Sequence, residues 1–346
     1  MKNKWKKWTM TLLGTTLAVS LTACGGSATT SSTDKPKDQS TAKSADQSKK
    51  QFKIGISQIV EHPALDAAKK GFIDYLNEHG LKDGEQVKYD AQSAQGDMNN
   101  ATSIAQKFVS DKEDLILAIA TPTAQAAAKA TKDIPIVITA VTDPVSAKIV
   151  SSMDKPGGNI TGTSDMNPIK EQLSLVKELK PEAKKLGVLY NSGEANSVVQ
   201  VEQAKKLAPD LGLELVERAV TNSSEVKQAA ESLSGIDAIY VPTDNTIVSA
   251  LDTVLAVAQK QKLPVIAGEG ESVKKGALIT YGIDYYQLGR QTGEMAEKIL
   301  KGEAKPGDMP IQTQKNLKLI VNTKAAEQFG ITLPKTLLDK ANEVIK

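Results

Sequence analysis

Cysteine, histidine and tryptophan are scarce: one, two and two residues respectively in 346. A lone cysteine, Cys24, allows no internal disulfide framework. Two histidines, His62 and His79, supply no His-rich zinc pattern. No G-x-S-x-G elbow and no G-x-x-x-x-G-K-[ST] loop occurs, which argues against a hydrolase nucleophile of that kind and a P-loop ATPase. Glu269 and Glu271 imitate a two-carboxylate site, but polar loop residues explain them more simply. "GEGESVKKG" is too short of a fingerprint for a dinucleotide. No enzyme, cofactor or metal is therefore expected. Excess charge of one sign is missing too, with Lys+Arg 43 against Asp+Glu 41, so nothing suggests a nucleic-acid surface. Aromatic residues are only 4%, and both tryptophans, Trp5 and Trp8, lie at the extreme N-terminus. That poverty disfavours a sugar cleft walled by stacking rings.

What is present begins with an address. "MKNKWKKWTM" carries Lys2, Lys4, Lys6 and Lys7, and "TLLGTTLAVSL" follows. A basic start, a short apolar run and small residues form a secretory signal peptide, residues 1–23. The run is short for a membrane span. Cys24 follows Leu21, Thr22 and Ala23, a pattern that resembles a bacterial lipobox, so Cys24 is expected to carry a diacylglycerol and tie the chain to the membrane. Residues 25 to about 50 have no aromatic or large aliphatic side chain and read as a disordered tether.

The body alternates strand-like and helix-like stretches. "FKIGISQIV" precedes "HPALDAAKKGFIDYLNEHG", in which Leu65, Ala68, Phe72, Tyr75 and Leu76 recur at helical spacing. Further strands are expected in "VKYDAQ", "LILAIA", "PIVITAV", "KLGVLYN", "LELVERAV", "DAIYVP", "LPVIAG" and "ALITYG", most of them separated by helical runs. This is an α/β pattern of parallel sheets covered by helices. "LAIATPTAQ" and "IYVPTDN" share a plan, an apolar run ended by Pro122 or Pro242 and then a threonine. Two Rossmann-like lobes joined by a hinge would produce such a repeat. Lobe 1 is expected over residues 51–160 and about 284–312, and lobe 2 over 161–283 and about 313–346. "KPGGNITGTSDMNP", with three glycines and two prolines, reads as the first crossover. The helix "DYYQLGRQTGEMAEKILKGE" is expected to return to lobe 1.

Three segments point to a family. "KIGISQIVEHPALDAAKKGFIDYLNEHG" resembles the start of type I periplasmic-binding-type proteins, and "YGIDYYQLGRQTGEMAEKILKGE" resembles their late helix. "VNTKAAEQFGITLPKTLLDKANEVI" is similar to the C-terminal part of bacterial ABC transporter substrate-binding lipoproteins whose studied members bind tryptophan or related aromatic amino acids. The resemblance implies a monomeric bilobal receptor outside the cytoplasmic membrane that hands its ligand to a permease driven by a separate ATPase. A ligand sensor, or the same fold holding a sugar or nucleoside, stays open. A DNA-binding repressor of this fold would need a helix-turn-helix where the signal peptide stands.

In open parallel sheets ligands bind beyond the carboxyl ends of the strands. An amino acid's carboxylate needs N–H groups and hydroxyls, which Thr121, Thr123, Asn196, Ser197, Thr243 and Asn245 could help supply at helix starts. Its ammonium needs a carboxylate. Asp284 is the first choice, since it follows a strand at the hinge, with Asp143, Asp165 and Asp244 in reserve. An aromatic side chain needs a slot with a polar end. Ser57, Gln58 and Glu61 could form that end, and Pro63, Pro144 or Tyr285 a wall. Asn191 and Glu269 stand on the same set of loops. Each has a plainer reading: Thr, Asn and Asp284 as helix caps, Asp143-Pro144 as a turn, Tyr285 or Tyr286 as packing, Glu61 and His62 as exposed loop.

Overall fold

A computed structural model describes residues 51–346. The signal peptide, Cys24 and the tether lie outside the described residues. Among the described residues no helix is long and apolar enough to cross a membrane.

The strands of the first sheet are β1 (Phe52–Gln58), β2 (Val87–Ser93), β3 (Leu115–Ile119), β4 (Ile136–Thr139) and β5 (Ile160–Ser164). Helices α1 (Pro63–Glu78), α2 (Met98–Ser110) and α3 (Thr121–Ala130) connect the first four. β3 reads LILAI and is buried throughout, as a central parallel strand covered on both faces must be. After α4 (Ile169–Leu179) the chain forms the second sheet from β6 (Lys185–Asn191), β7 (Glu214–Val220), β8 (Ala238–Val241), β9 (Val265–Ala267) and β10 (Ile279–Gly282). Its connections are α5 (Ala195–Leu207), α6 (Val226–Glu231), α7 (Asn245–Ser249), α8 (Leu251–Gln261) and α9 (Gly270–Lys275). The chain then crosses back through α10 (Tyr285–Leu300) to β11 (Gln312–Thr313). It crosses again to β12 (Lys318–Asn322), α11 (Thr323–Phe329), α12 (Lys335–Lys340) and β13 (Glu343–Ile345).

Strand order is β11-β5-β4-β3-β1-β2 in one sheet and β13-β12-β10-β9-β8-β6-β7 in the other. Every pairing is parallel except β10 with β12. The lobes keep separate cores: Ile54, Phe72 and Leu117 belong to one, and Leu186, Tyr240 and Ile266 to the other.

α10 returns to the first lobe and lies against α1. The helices touch backbone to backbone, since a Cβ on Gly289 would stand 1.9 Å from Ala68 O. No larger residue fits without moving the helices apart.

One segment differs from the sequence reading. Residues 160–164 form a strand of the first sheet rather than part of the crossover, so the passage between sheets falls at 165–168 and not at 160. "ITGTS" lacks the long aliphatic run of its neighbours. Gly162 adopts φ +143° and lies so close to β4 that a Cβ would stand 2.0 Å from Ile138 O. The glycine that suggested a loop is what lets this strand pack.

Candidate functional site

The carboxyl ends of both sheets meet around a tightly closed cavity of about 10 Å³, room for about one water molecule and far below the roughly 300–1,000 Å³ typical of small-molecule sites, so a ligand enters only as the lobes part. His62, Ala64, Leu65 and Ala140 line it from the first lobe. Asn196, Thr243, Asp244, Asn245, Val248 and Glu269 face them from the second, with Asp165 and Tyr285 at the crossovers.

The backbone around the site is unusual. Ala120, between β3 and α3, has φ 80° and ψ 157°, and Ala140, just past β4, has φ 55°. Such conformations cost a non-glycine residue about 1–3 kcal/mol, and they concentrate where a binding surface must be shaped. At the start of α1, Pro63 has no N–H to offer and His62 makes no side-chain cap. The next two amides, Ala64 and Leu65, belong to residues that line the cavity and have no acceptor within the helix. They form a ready anion site at the positive end of a 16-residue helix.

Three buried carboxyls balance that end. Asp165 accepts a hydrogen bond from Thr142 Oγ1 (3.0 Å) and another from the Tyr285 hydroxyl. Burial pushes it above the usual carboxyl range despite these donors. Asp244 accepts from the amides of Asn191 (2.5 Å) and Ile247 (2.8 Å). Burial and then the Glu194 charge push it upward. Glu269 caps α9 by accepting from the Ser272 (2.9 Å) and Glu271 (2.5 Å) amides, with the Ser272 hydroxyl also bound. Burial raises it to about 7. No Lys or Arg lines the cavity among the described residues. A cation placed there would restore ionisation to groups that burial has brought toward neutrality.

Glu194, just behind this wall, organises it. Its carboxylate accepts from Asn196 Nδ2 (3.0 Å), the amides of Asn245 (3.1 Å) and Thr246 (3.0 Å), and both of their side chains. Gln200 holds Thr243 through its hydroxyl (2.8 Å) and its amide (3.2 Å).

Several buried polar atoms have no partner among the described residues. They include both ring nitrogens of His62, Asn196 Oδ1, Ser57 Oγ, Gln58 Oε1, Thr121 Oγ1 and both amide atoms of Asn167. An unmet buried group costs about 1–3 kcal/mol, and of these residues His62 and Asn196 line the cavity. Burial lowers the His62 pKa to about 4, so its ring is neutral near pH 7.

Of the residues singled out from sequence, Asp165, Asn196, Thr243, Asp244, Asn245, Glu269 and Tyr285 come together in the cavity. Ser57, Gln58, Thr121, Thr123, Pro144, Asn191 and Ser197 are buried but do not line it. Thr123 Oγ1 donates to Ile119 O (2.6 Å), and Asn191 Nδ2 donates to Thr246 Oγ1 (2.8 Å). Asp284 stands elsewhere. It caps α10 through the Gln287 amide (3.1 Å), pairs with Lys318 (2.9 Å), and exchanges backbone hydrogen bonds with the Gln314 side chain. Burial would raise its pKa, but Lys318 and the Gln287 amide outweigh that and hold it low. It clasps two crossovers together and does not line the cavity. Asp143 turns its own loop by accepting from the Val145 and Ser146 amides (3.1 and 2.9 Å). Glu61 and Pro63 are exposed. Tyr286 donates to Asp74 Oδ2 (2.9 Å), away from the site, while Tyr285 walls it.

His62, Ala64, Leu65, Ala140 and Val248 escaped the sequence reading as contacts, as did Glu194 behind the wall. The strand-end rule that selected Glu61 and Pro63 applies equally to His62 between them. Away from the cavity, Asp90, Asp111 and Glu113 bring carboxylate oxygens within 4.8 Å of one another. Lys107 already pairs with both aspartates there.

Comparison with known proteins agrees with this architecture. Residues 53–345 match a family described as ABC transporter substrate binding protein. A tyrosine-binding protein of Clostridioides difficile is 55% identical over 276 residues, covering 80% of each chain. A Streptococcus pneumoniae ABC domain in complex with L-Trp is 42% identical with a TM-score of 0.82, covering 85% of this chain and 100% of that one. The ligand-free, open structure of a Clostridium difficile substrate binding protein with adhesive properties is 49% identical over 85% of this chain and 99% of its own, yet its TM-score is 0.65. Higher identity with poorer superposition is what a different angle between similar lobes produces. This chain superposes better on the L-Trp complex than on the open relative.

Proposed function

The chain belongs to the ABC transporter substrate binding protein family, and on that premise we propose that it captures an aromatic amino acid, tyrosine or tryptophan, in the cavity between its lobes. It is a binding protein and not an enzyme. On this reading it works outside the cytoplasmic membrane as a monomer, tied there by lipid on Cys24, and passes its ligand to a permease powered by a separate ATPase.

The observation that carries the reading is the pairing of opposite needs across one cavity. Asp165, Asp244 and Glu269 are carboxyls with no Lys or Arg in the lining, and the start of α1, where His62 makes no side-chain cap, presents amides with no acceptor in the helix. A zwitterion meets both. Its ammonium goes to the carboxyls and its carboxylate to the Ala64 and Leu65 amides. Leu65, Val248, Ala140 and Tyr285 offer apolar surface for a ring. A sugar or a neutral nucleoside brings no ammonium for the carboxyls. The tyrosine-binding and L-Trp-bound relatives support the aromatic choice. Closure follows from the same chemistry. Shutting the empty cleft buries carboxyls and unpaired polar atoms at a cost, and a ligand touching both lobes removes that cost, shifting the population to the closed form.

The test uses an absence: residues 51–346 contain no tryptophan. Protein of this span is purified without denaturant, then denatured, and the released small molecules are analysed by mass spectrometry and indole emission. Near-stoichiometric tyrosine or tryptophan is the expected result. Release of a different metabolite refutes the ligand and leaves the capture mechanism standing.

A further inference from the structure

We infer that His62 sets the side-chain selectivity of the site by hydrogen-bonding the polar edge of an aromatic ligand, a phenol hydroxyl or an indole N–H, and so favours tyrosine and tryptophan over phenylalanine. The inference rests on the aromatic amino acid reading above.

His62 occupies the N-cap position of α1 with extended backbone (φ −157°, ψ 158°), where a side chain ordinarily caps the helix. Its imidazole does not cap. The residue is 8% exposed, lines the cavity, and leaves both Nδ1 and Nε2 without a partner among the described residues. Most other polar groups of the lining are already engaged within the protein, Asn196 Oδ1 excepted. Asp165 holds Thr142 and Tyr285, Asp244 holds two amides, Glu269 holds α9, and Asn245 holds Glu194. They can lend charge to a ligand, but their geometry is already committed. Among the lining residues His62 alone leaves both of its polar side-chain atoms without a formed hydrogen bond.

The chemistry of an uncharged imidazole narrows what it would meet. It carries one donor and one acceptor. The Asn245 side chain acts on the ring as a hydrogen-bonding neighbour without a formed bond, Asp66 and Lys275 act on it by charge, and none of these is one of the three lining carboxyls. The ammonium is therefore served elsewhere, and a full carboxylate is better matched by the α1 amides. A phenol hydroxyl can donate to the ring or accept from it, and an indole N–H can donate to it. Phenylalanine offers neither and would seal the ring away with its hydrogen bonds unmet, the arrangement that proteins discriminate against most strongly.

The test is calorimetric titration of tyrosine, tryptophan and phenylalanine into the intact protein and its His62→Leu and His62→Gln variants, each checked for folding by thermal melting. Wild type should bind tyrosine and tryptophan at least ~10-fold more tightly than phenylalanine. His62→Leu should abolish that ratio while retaining phenylalanine binding, and His62→Gln, which keeps a donor and an acceptor, should restore part of it. An unchanged ratio in folded His62→Leu overturns the role of His62 and leaves the aromatic reading intact. An equal loss for all three ligands also overturns it, by assigning His62 to the shared amino acid group or to packing. If wild type binds none of the three, the aromatic reading itself fails and this role with it.

Discussion

Glu269→Gln isolates the electrostatic cost that burial places on one carboxyl of the cavity. Burial lifts Glu269 from its ordinary 4.5 to about 7, and the residue is 2% exposed, so solvent screens little of the effect. The sign follows from proton linkage. Between pH 4.5 and 7 the folded protein holds the proton more often than the unfolded chain does. Stability therefore falls as pH rises across that window and levels off above it. A displacement from 4.5 to about 7, at about 1.4 kcal/mol per pH unit, amounts to about 3 kcal/mol. For a body of this size that is roughly 5 °C or more in melting temperature. The glutamine removes the ionisation but keeps one carbonyl oxygen for the α9 cap. Its cap loss, about 1 kcal/mol, is independent of pH and shifts the curve without tilting it. Melting of the ligand-free proteins from pH 4.5 to 8 should show a steeper decline for wild type. Asp165 and Asp244 are displaced in the same direction, so part of the slope persists in the variant. Identical slopes for the two proteins would refute the argument. Saturating amino acid should flatten the wild-type curve, because its ammonium favours the ionised carboxyl.

Two contrasts test the placement of other residues. Asp165→Asn should weaken amino acid binding tenfold or more by calorimetry, the scale of a charge-assisted hydrogen bond of about 1.5–3 kcal/mol, whereas Asp284→Ala should leave affinity within a few fold and lower stability by about 1 kcal/mol through loss of the α10 cap and the Lys318 pair. The reverse ranking would return the ammonium site to Asp284. Gly289→Ala forces a methyl to within 1.9 Å of Ala68 O on α1, where neither helix backbone can yield cheaply, so a loss of about 3 kcal/mol is expected in chemical denaturation. A change below 1 kcal/mol would mean that the two helices slide freely.

Much was legible before any coordinates. Short β-branched runs alternating with amphipathic helices specify parallel sheets, because only buried parallel strands are apolar on both faces while their helices keep one polar side. β3 and α1 show this at the level of single residues. The strand-end rule likewise found Asp165, Asn196, Thr243, Asp244, Asn245, Glu269 and Tyr285, since topology alone sends those loops to one edge. It failed where the outcome depended on side-chain direction and on partners distant in sequence. Asp284 follows a strand as Glu269 does, yet it meets Lys318, 34 residues on, and is spent as a clasp. Glu61, His62 and Pro63 are consecutive, but only the middle one turns inward. Gly162 looked like a hinge until β4 was seen to occupy the space of its missing side chain. By itself, then, the sequence determined the α/β class, the alternation and the set of loops that border the cleft, because these depend on local periodicity and on the rule that strands share an edge. Only the tertiary structure decided which loop residues face the cavity, which carboxyls are buried without a cation, and which hydrogen bonds are left for a ligand, because those follow from contacts between residues 30 to more than 100 positions apart.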